Sequence, residues 1–196
     1  MSRIGLFGGT FDPIHDGHIQ TADFVLSEFN LTRIIFIPAR IPPNKSDKKI
    51  TDGSHRISMI DLAIRDYAGK FSSSRMELDR EGNSYTIDTL ESFQNENPGN
   101  EFFLMMGSDN FQQFTTWKRW QEFTEKAFII VFRKLDGNLS IPEKLIPFSE
   151  RILFSQSPLI NISSTDVRNR IYSNKNVNLP IHFSVENYIR SNNLYR

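Results

Sequence analysis

His15 and His18 stand three residues apart behind paired glycines, in the stretch Gly5-Leu6-Phe7-Gly8-Gly9-Thr10-Phe11-Asp12-Pro13-Ile14-His15-Asp16-Gly17-His18-Ile19. This arrangement suits the binding of phosphate. Arg3 to Phe7 is apolar enough for a buried strand, and Gly8-Gly9 lets the backbone turn with positive φ while a ligand approaches it closely. Gly17 lies where the helical pattern Ile19, Ala22, Phe24, Val25, Leu26 begins, so unpaired N–H groups of a helix start would face the glycine turn and favour an anion. The two imidazoles would share one face of the first helical turn. Two other roles compete for them on spacing alone, zinc ligation and ordinary helix-start positions. Zinc finds no support: the chain has no cysteine, and His55 and His182 lie far off without ligand spacing. The glycine turn favours a cradle for a nucleoside triphosphate over a plain helix start.

Four more clusters carry polar chemistry at the ends of predicted elements. In Ile162-Ser163-Ser164-Thr165-Asp166-Val167-Arg168, hydroxyls and free N–H groups at a helix start could bind phosphate oxygens, with Arg168 adding a positive fork. In Pro38-Ala39-Arg40-Ile41-Pro42-Pro43-Asn44-Lys45, prolines stiffen the loop so that Lys45 could neutralise β- and γ-phosphate charge. Ser84 as a cap would leave the N–H groups of Tyr85 and Thr86 unpaired and suited to a carboxylate. Past a buried strand, Gly107-Ser108-Asp109 offers a carboxylate for ribose hydroxyls, and Trp117 a face for stacking on a flat ring, whereas Trp120 reads as core. Each cluster alone also has a plainer role, as a helix cap, a solvated basic loop or core.

Together these strings resemble one family. Gly8-Gly9-Thr10-Phe11-Asp12-Pro13-Ile14-His15-x-Gly17-His18 is similar to the signature of the nicotinate-nucleotide adenylyltransferases, within the wider nucleotidyltransferase group whose His-x-Gly-His step binds ATP. Cytidylyltransferases, pantetheine-phosphate adenylyltransferases and class I aminoacyl-tRNA synthetases carry versions of the short step; the longer string narrows the choice. The resemblance continues through His55-Arg56, Arg80-x-Gly82-x-Ser84-Tyr85-Thr86-x-Asp88-Thr89-Leu90, Gly107-x-Asp109, Trp117-x-x-Trp120, Ile162 to Arg168, and Asn187-Tyr188-Ile189-Arg190-x-Asn192-x-Leu194-Tyr195. It departs at Asn44, where the family usually has histidine, and at Lys134, where Arg133 would be followed by proline.

The resemblance implies adenylyl transfer from ATP to nicotinate mononucleotide, giving deamido-NAD and pyrophosphate in NAD biosynthesis. It places ATP against Gly8, Gly9, Thr10, Phe11, His15, His18, Lys45, Ser163, Ser164 and Arg168. Of these, His15, His18, Lys45 and Arg168 would carry the catalysis. The mononucleotide would lie against Tyr85, Thr86, Gly107, Asp109 and Trp117. Mg2+ would come with ATP and bridge phosphate oxygens with few or no protein ligands. The alternatives are a nicotinamide mononucleotide adenylyltransferase and a nucleotide-binding regulator without turnover. A fragment of an RNA-linked synthetase fits less well, for want of a basic patch or an anticodon-binding extension.

The elements that must position these residues follow from pattern. Arg33–Pro38, Glu101–Met106, Ala127–Phe132 and the shorter Ile152–Phe154 are apolar runs of strand length. Helical patterns cover Ile19–Phe29, Ile57–Ile64, Tyr85–Phe93, the residues through Val167 and Ile171, and Val185–Ser191, and Gly137–Pro147 reads as a loop. Alternation of strand and helix predicts an α/β fold with a doubly wound parallel sheet, Rossmann-like as the resemblance implies. Ligand residues then gather beyond the strands' carboxyl ends, where Gly8-Gly9, Pro38-Ala39-Arg40 and Gly107-Ser108-Asp109 all fall.

With 196 residues the chain suits a single nucleotidyltransferase domain, residues 1–196, in which the helical part from 163 to 196 completes the ATP site. Its 23 basic and 23 acidic residues leave no global field to attract nucleic acid or anionic lipid. Most of the 17 phenylalanines fall in strand or helix patterns and read as core. No apolar run approaches the roughly 20 residues of a membrane span, and an opening core strand in place of a signal segment gives a cytoplasmic address. A homo-oligomer is compatible with the sequence.

Overall fold

Six strands form one parallel sheet in the computed structural model of the chain, which describes residues 1–40, 50–134, 139–173 and 178–196. In chain order they are β1 (Arg3–Gly9), β2 (Arg33–Pro38), β3 (Phe71–Ser73), β4 (Glu101–Gly107), β5 (Phe128–Phe132) and β6 (Ile152–Phe154). Across the sheet they run β3-β2-β1-β4-β5-β6, every pairing parallel, which is the doubly wound Rossmann-like order. The helices are α1 (Asp16–Glu28), α2 (Gly53–Ile64), α3 (Met76–Asp79), α4 (Thr86–Glu96), α5 (Ser108–Gln112), α6 (Trp120–Lys126), α7 (Ser164–Tyr172) and α8 (Phe183–Ser191).

Continuous apolar runs serve this sheet because both of its faces are covered, so odd and even residues of a strand enter different cores. Phe7, Ile34, Phe36, Phe103, Met105, Ile130 and Phe132 join α1, α2, α7 and α8 through Val25, Met59, Ile60, Val167, Val185 and Ile189. Ile4, Leu6, Ile35, Ile37, Leu104, Met106, Ile129 and Val131 form the other core with Ile87, Leu90 and Phe93 of α4 and Phe123 of α6. Full burial of each such side chain contributes roughly 1.5–3 kcal/mol. Most phenylalanines do lie in these cores; Phe183 is an exception, 60% exposed beneath the Arg65 guanidinium.

Helix starts follow local capping chemistry. Asp52 caps α2 by accepting the Ser54 N–H at 2.8 Å, and Ser163 caps α7 by accepting the Asp166 N–H at 3.1 Å. α1 begins after His15 and ends before Asn30, which takes a left-handed φ of 49°. Three features depart from the pattern reading. Edge strand β3 is only three residues long and carries two serines, too short to show periodicity. Glu143–Arg151 is a 3-10 segment, so the expected loop is ordered helix from Glu143 on, and Gly137 lies outside the described residues. Ser84 does not cap α4, as detailed below. Among the described residues, no helix is long and apolar enough to cross a membrane.

Gly5 shows how tightly β1 is held between its neighbours. A Cβ there would stand 2.9 Å from Ile34 Cγ1, 3.0 Å from Leu31 Cδ1 and 3.2 Å from Met105 Sδ. Gly5→Val is therefore expected to destabilise the fold by about 1–3 kcal/mol, read from the midpoint of urea unfolding.

Candidate active site

The crossover from β1 to α1 is the centre of the site. Gly9 must lack a side chain, because a Cβ would meet the Phe11 ring at 2.8 Å. Phe11, at a left-handed φ of 49°, folds back beneath the strand end, edge-on to Phe7 at 5.5 Å and to His18 at 5.0 Å. The peptide between Asp12 and Pro13 is cis. Gly8 behaves in the opposite way: among the described residues nothing lies within 4 Å of its would-be Cβ. Neither glycine takes the positive φ expected from the sequence, which falls instead on Phe11; among the described residues Gly9 is pressed on the loop and Gly8 is open at the sheet's carboxyl edge, where a ligand can lie against the backbone.

The two histidine rings stack at 3.7 Å between centroids, 23° from parallel. The His15 N–H donates to His18 Nδ1 at 3.2 Å, so neutral His18 carries its proton on Nε2. His15 is only 6% exposed, and its Nδ1 is buried without a hydrogen-bond partner among the described residues. Burial, and after it the charge of Lys134, lowers its pKa to about 4. At neutral pH it is an uncharged ring that supports His18.

The carboxyl-terminal elements clamp this loop. The Ser164 hydroxyl donates to the Pro13 carbonyl at 2.9 Å, and Arg168 Nη1 donates to the Asp12 carbonyl at 2.6 Å. Arg168 Nη2 donates to Thr165 Oγ1 at 3.2 Å, and the Asp16 N–H to the Pro180 carbonyl at 2.9 Å. The motif from Ile162 to Arg168 is thereby brought to the histidines, with much of its donor capacity already used on the loop.

Sequence reasoning missed what lies beneath. Asp12, 6% exposed, accepts the Tyr195 hydroxyl at 2.6 Å on Oδ1 and the Thr51 N–H at 3.3 Å on Oδ2. Arg56, 2% exposed, donates from Nε to the Thr51 carbonyl at 2.8 Å and from Nη1 to the Thr10 carbonyl at 2.9 Å. Burial, the hydrogen bond to Asp12 and the carboxylate's charge push the Tyr195 hydroxyl's pKa well above its ordinary range, so it remains a donor. A signal for Arg56 did exist. It sits beside Ile57 and one turn before Ile60, on the apolar face of α2, where a charged residue must find buried partners.

The second group of predicted residues surrounds the ends of β4 and β5 and the start of α4. Ser84 is buried and accepts the Arg40 N–H at 2.8 Å, tying the end of β2 to α4 and leaving Tyr85 at the cap position. The Tyr85 N–H donates to the Asn83 carbonyl at 3.0 Å, so of the two N–H groups expected to be open only that of Thr86 is not used within the described residues. Thr89 donates to buried Glu77 at 2.9 Å and accepts from Arg80 at 3.0 Å, which fixes α4 on α3. Trp117 is half-buried against Phe114 at 5.4 Å, and Trp120 packs on Phe148 at 6.0 Å. Asp109 is exposed, with Lys134 Nζ 3.4 Å from its Oδ2. A Cβ on Gly107 would stand 2.5 Å from Asp109 Oδ1.

Asn44 and Lys45 lie outside the described residues. A cleft of about 580 Å³ is lined by Arg40, Thr51, Asp52, Arg56, Arg75, Leu78 and others. None of the described residues singled out from the sequence as ATP or mononucleotide contacts lines it.

Comparison with known proteins shows the family and the fold. The model of the cytidylyltransferase-like family matches residues 6–170. A probable nicotinate-nucleotide adenylyltransferase of Clostridium novyi is 36% identical over the full length of both chains. The nicotinate-nucleotide adenylyltransferase of Bacillus subtilis is 34% identical over all of this chain and 99% of its own. Among solved structures, Plasmodium falciparum nicotinic acid mononucleotide adenylyltransferase complexed with NaAD superposes with a TM-score of 0.81 at 22% identity, covering 100% of this chain and 98% of that one, a likeness of fold.

Two measurements check the site's construction. Unfolded His15 takes up a proton near pH 6.5 whereas the folded residue resists until about 4, so stability falls as pH drops through that window. The loss attributable to His15 is roughly 3 kcal/mol, and His15→Gln should flatten that arm of stability against pH in urea titrations. Tyr195→Phe strips a buried carboxylate of a donor and should cost about 1–3 kcal/mol of stability. In steady-state assays it should raise the KM for ATP more than the KM for the second substrate.

Proposed function

The chain belongs to the cytidylyltransferase-like family and, within it, to the nicotinate-nucleotide adenylyltransferases, and on that premise we propose that it transfers the adenylyl group of ATP to nicotinate mononucleotide, releasing pyrophosphate. The observation that carries this reading is the pairing, at one sheet edge, of the open Gly8 backbone and His18 Nε2 with the Thr86, Asp109 and Trp117 group beside β4. One side suits a polyphosphate. The other suits a ribosylated ring bearing a carboxylate. We also take residues 1–196 as one nucleotidyltransferase domain, with 163–196 completing the ATP site, as the clamp of Ser164, Arg168 and Tyr195 on Asp12 and Pro13 suggests.

The reaction needs no protein nucleophile. A phosphate oxygen of the mononucleotide forms the new bond to the α-phosphorus of ATP, and the bond from that phosphorus to the bridging β-oxygen breaks in line, so pyrophosphate carries off the electron pair. The attacking oxygen is already anionic and has no proton to lose, which leaves the protein to position the phosphates and stabilise charge. In this reading His18 donates from Nε2 to ATP phosphate and His15 holds the ring behind it. Gly8, Gly9, Thr10 and Phe11 line the triphosphate, Ser163 and Ser164 approach the nucleotide, and Lys45 and Arg168 stabilise departing pyrophosphate. Tyr85, Thr86, Gly107, Asp109 and Trp117 hold the mononucleotide, with the Thr86 N–H at the start of α4 facing its carboxylate.

A divalent cation, Mg2+, supplies neutralisation of phosphate charge and enters as part of the ATP substrate.

Purified protein given ATP, Mg2+ and nicotinate mononucleotide is expected to release pyrophosphate and form the dinucleotide. His18→Ala should lower kcat by about a hundredfold to a thousandfold, the effect of one well-placed donor on developing charge. Nicotinamide mononucleotide should be turned over at least about tenfold less efficiently, because the amide lacks the charge that an N–H at a helix start favours. Absence of pyrophosphate release despite ATP binding would make the chain a binding regulator, and preference for the amide would reassign its substrate.

A further inference from the structure

Lys134 is where this chain departs from the family string, and it sits at the mouth of the site. Immediately after β5, its backbone N–H donates to the fully buried Ser108 hydroxyl at 2.9 Å, which fixes the residue beside the end of β4. Its methylenes then pass over Gly107, where a Cβ would stand 3.0 Å from both Cδ and Cε. The ammonium lies 3.4 Å from Asp109 Oδ2, and the two side chains remain 51% and 46% exposed. Such an exposed pair is weak, so a ligand can exchange it. On its other side the same charge is felt by buried His15.

The two arginines that hold the cradle from beneath already donate to its own carbonyls. Arg56 uses its guanidinium on the Thr10 and Thr51 carbonyls, and Arg168 on the Asp12 carbonyl and Thr165. The attacking phosphate of the mononucleotide carries close to two negative charges and must be brought against an anionic ATP. It needs a positive group that is held near the ribose site and can be released.

We propose that Lys134 is the phosphate-binding residue of the mononucleotide pocket, held on Asp109 in the free protein and transferred to the substrate's phosphate when the ribose hydroxyls take its place on that carboxylate. The inference rests on the proposed function, because it needs a ribosylated phosphate in this pocket. In the exchange no covalent bond changes. One ion pair is replaced by another, and Asp109 keeps hydrogen-bond donors throughout.

The test compares wild type, Lys134→Gln and Lys134→Arg in steady state with nicotinate mononucleotide, and in competition with nicotinate riboside, which lacks the phosphate. The expected result is a KM for the mononucleotide raised about tenfold or more in Lys134→Gln and restored to within about threefold in Lys134→Arg, with the KM for ATP changed less than about twofold. Inhibition by the riboside should be unchanged or tighter in Lys134→Gln, since Asp109 is then free. A mononucleotide KM within about threefold of wild type in Lys134→Gln, or a loss shared equally by riboside or ATP, would overturn the assignment. Failure of wild type to turn over the mononucleotide at all is a different outcome. It removes the proposed function, and the assignment of Lys134 with it.

Discussion

Everything at the candidate active site depends on burying Asp12 with its partners satisfied. A loop that offers N–H groups to a phosphate cannot also fold them inward, so its carbonyls and its one buried carboxylate must be held from beneath. Arg56, Thr51, Tyr195 and Arg168 do this from three separate parts of the chain. An isolated charge buried in this way would be strongly unfavourable; with two donors at 2.6 and 3.3 Å it becomes a fixed point.

The sheet supplies the frame for that fixed point. β1 lies between β2 and β4, and the helices that follow go to opposite faces, α1 and α2 to one core and α4 and α6 to the other. In such sheets a crevice forms where the connections part, beyond the strands' carboxyl ends, and Gly8 and Gly9 lie at that end of β1. Ser84 extends the same logic across the edge, since its hydroxyl accepts the Arg40 N–H and ties the end of β2 to the start of α4. The two candidate pockets are therefore neighbours through rigid elements.

What was legible in the sequence was local. Runs such as Ile34-Ile35-Phe36-Ile37 announce strands buried on both faces, and the glycine-histidine string announces its own turn and helix. β3 was not legible because three residues cannot display a period. Ser84 was misread because serine before a helix usually caps it, and only the fold shows that the Arg40 N–H lies closer to hand. The bond from Tyr195 to Asp12 spans 183 residues and has no periodic trace in sequence. Long-range hydrogen bonds follow from topology, so the support of a site is harder to read than its surface.

The charge pattern at the histidines shows how recognition is divided. At 3.7 Å between ring centroids, two imidazolium ions would repel by about 4 kcal/mol at an effective dielectric constant near 20. Burial prevents this by keeping His15 neutral, and the nearby ammonium of Lys134 acts in the same direction. On the proposed function the cradle would then meet phosphate with directed N–H donors from His18 and the backbone, with the exposed Lys134 charge at the rim. A chain of 23 basic and 23 acidic residues has no general attraction for anions, so donor geometry must select the ligand. Directed donors hold a phosphate in one orientation, which is what an in-line displacement requires of the protein.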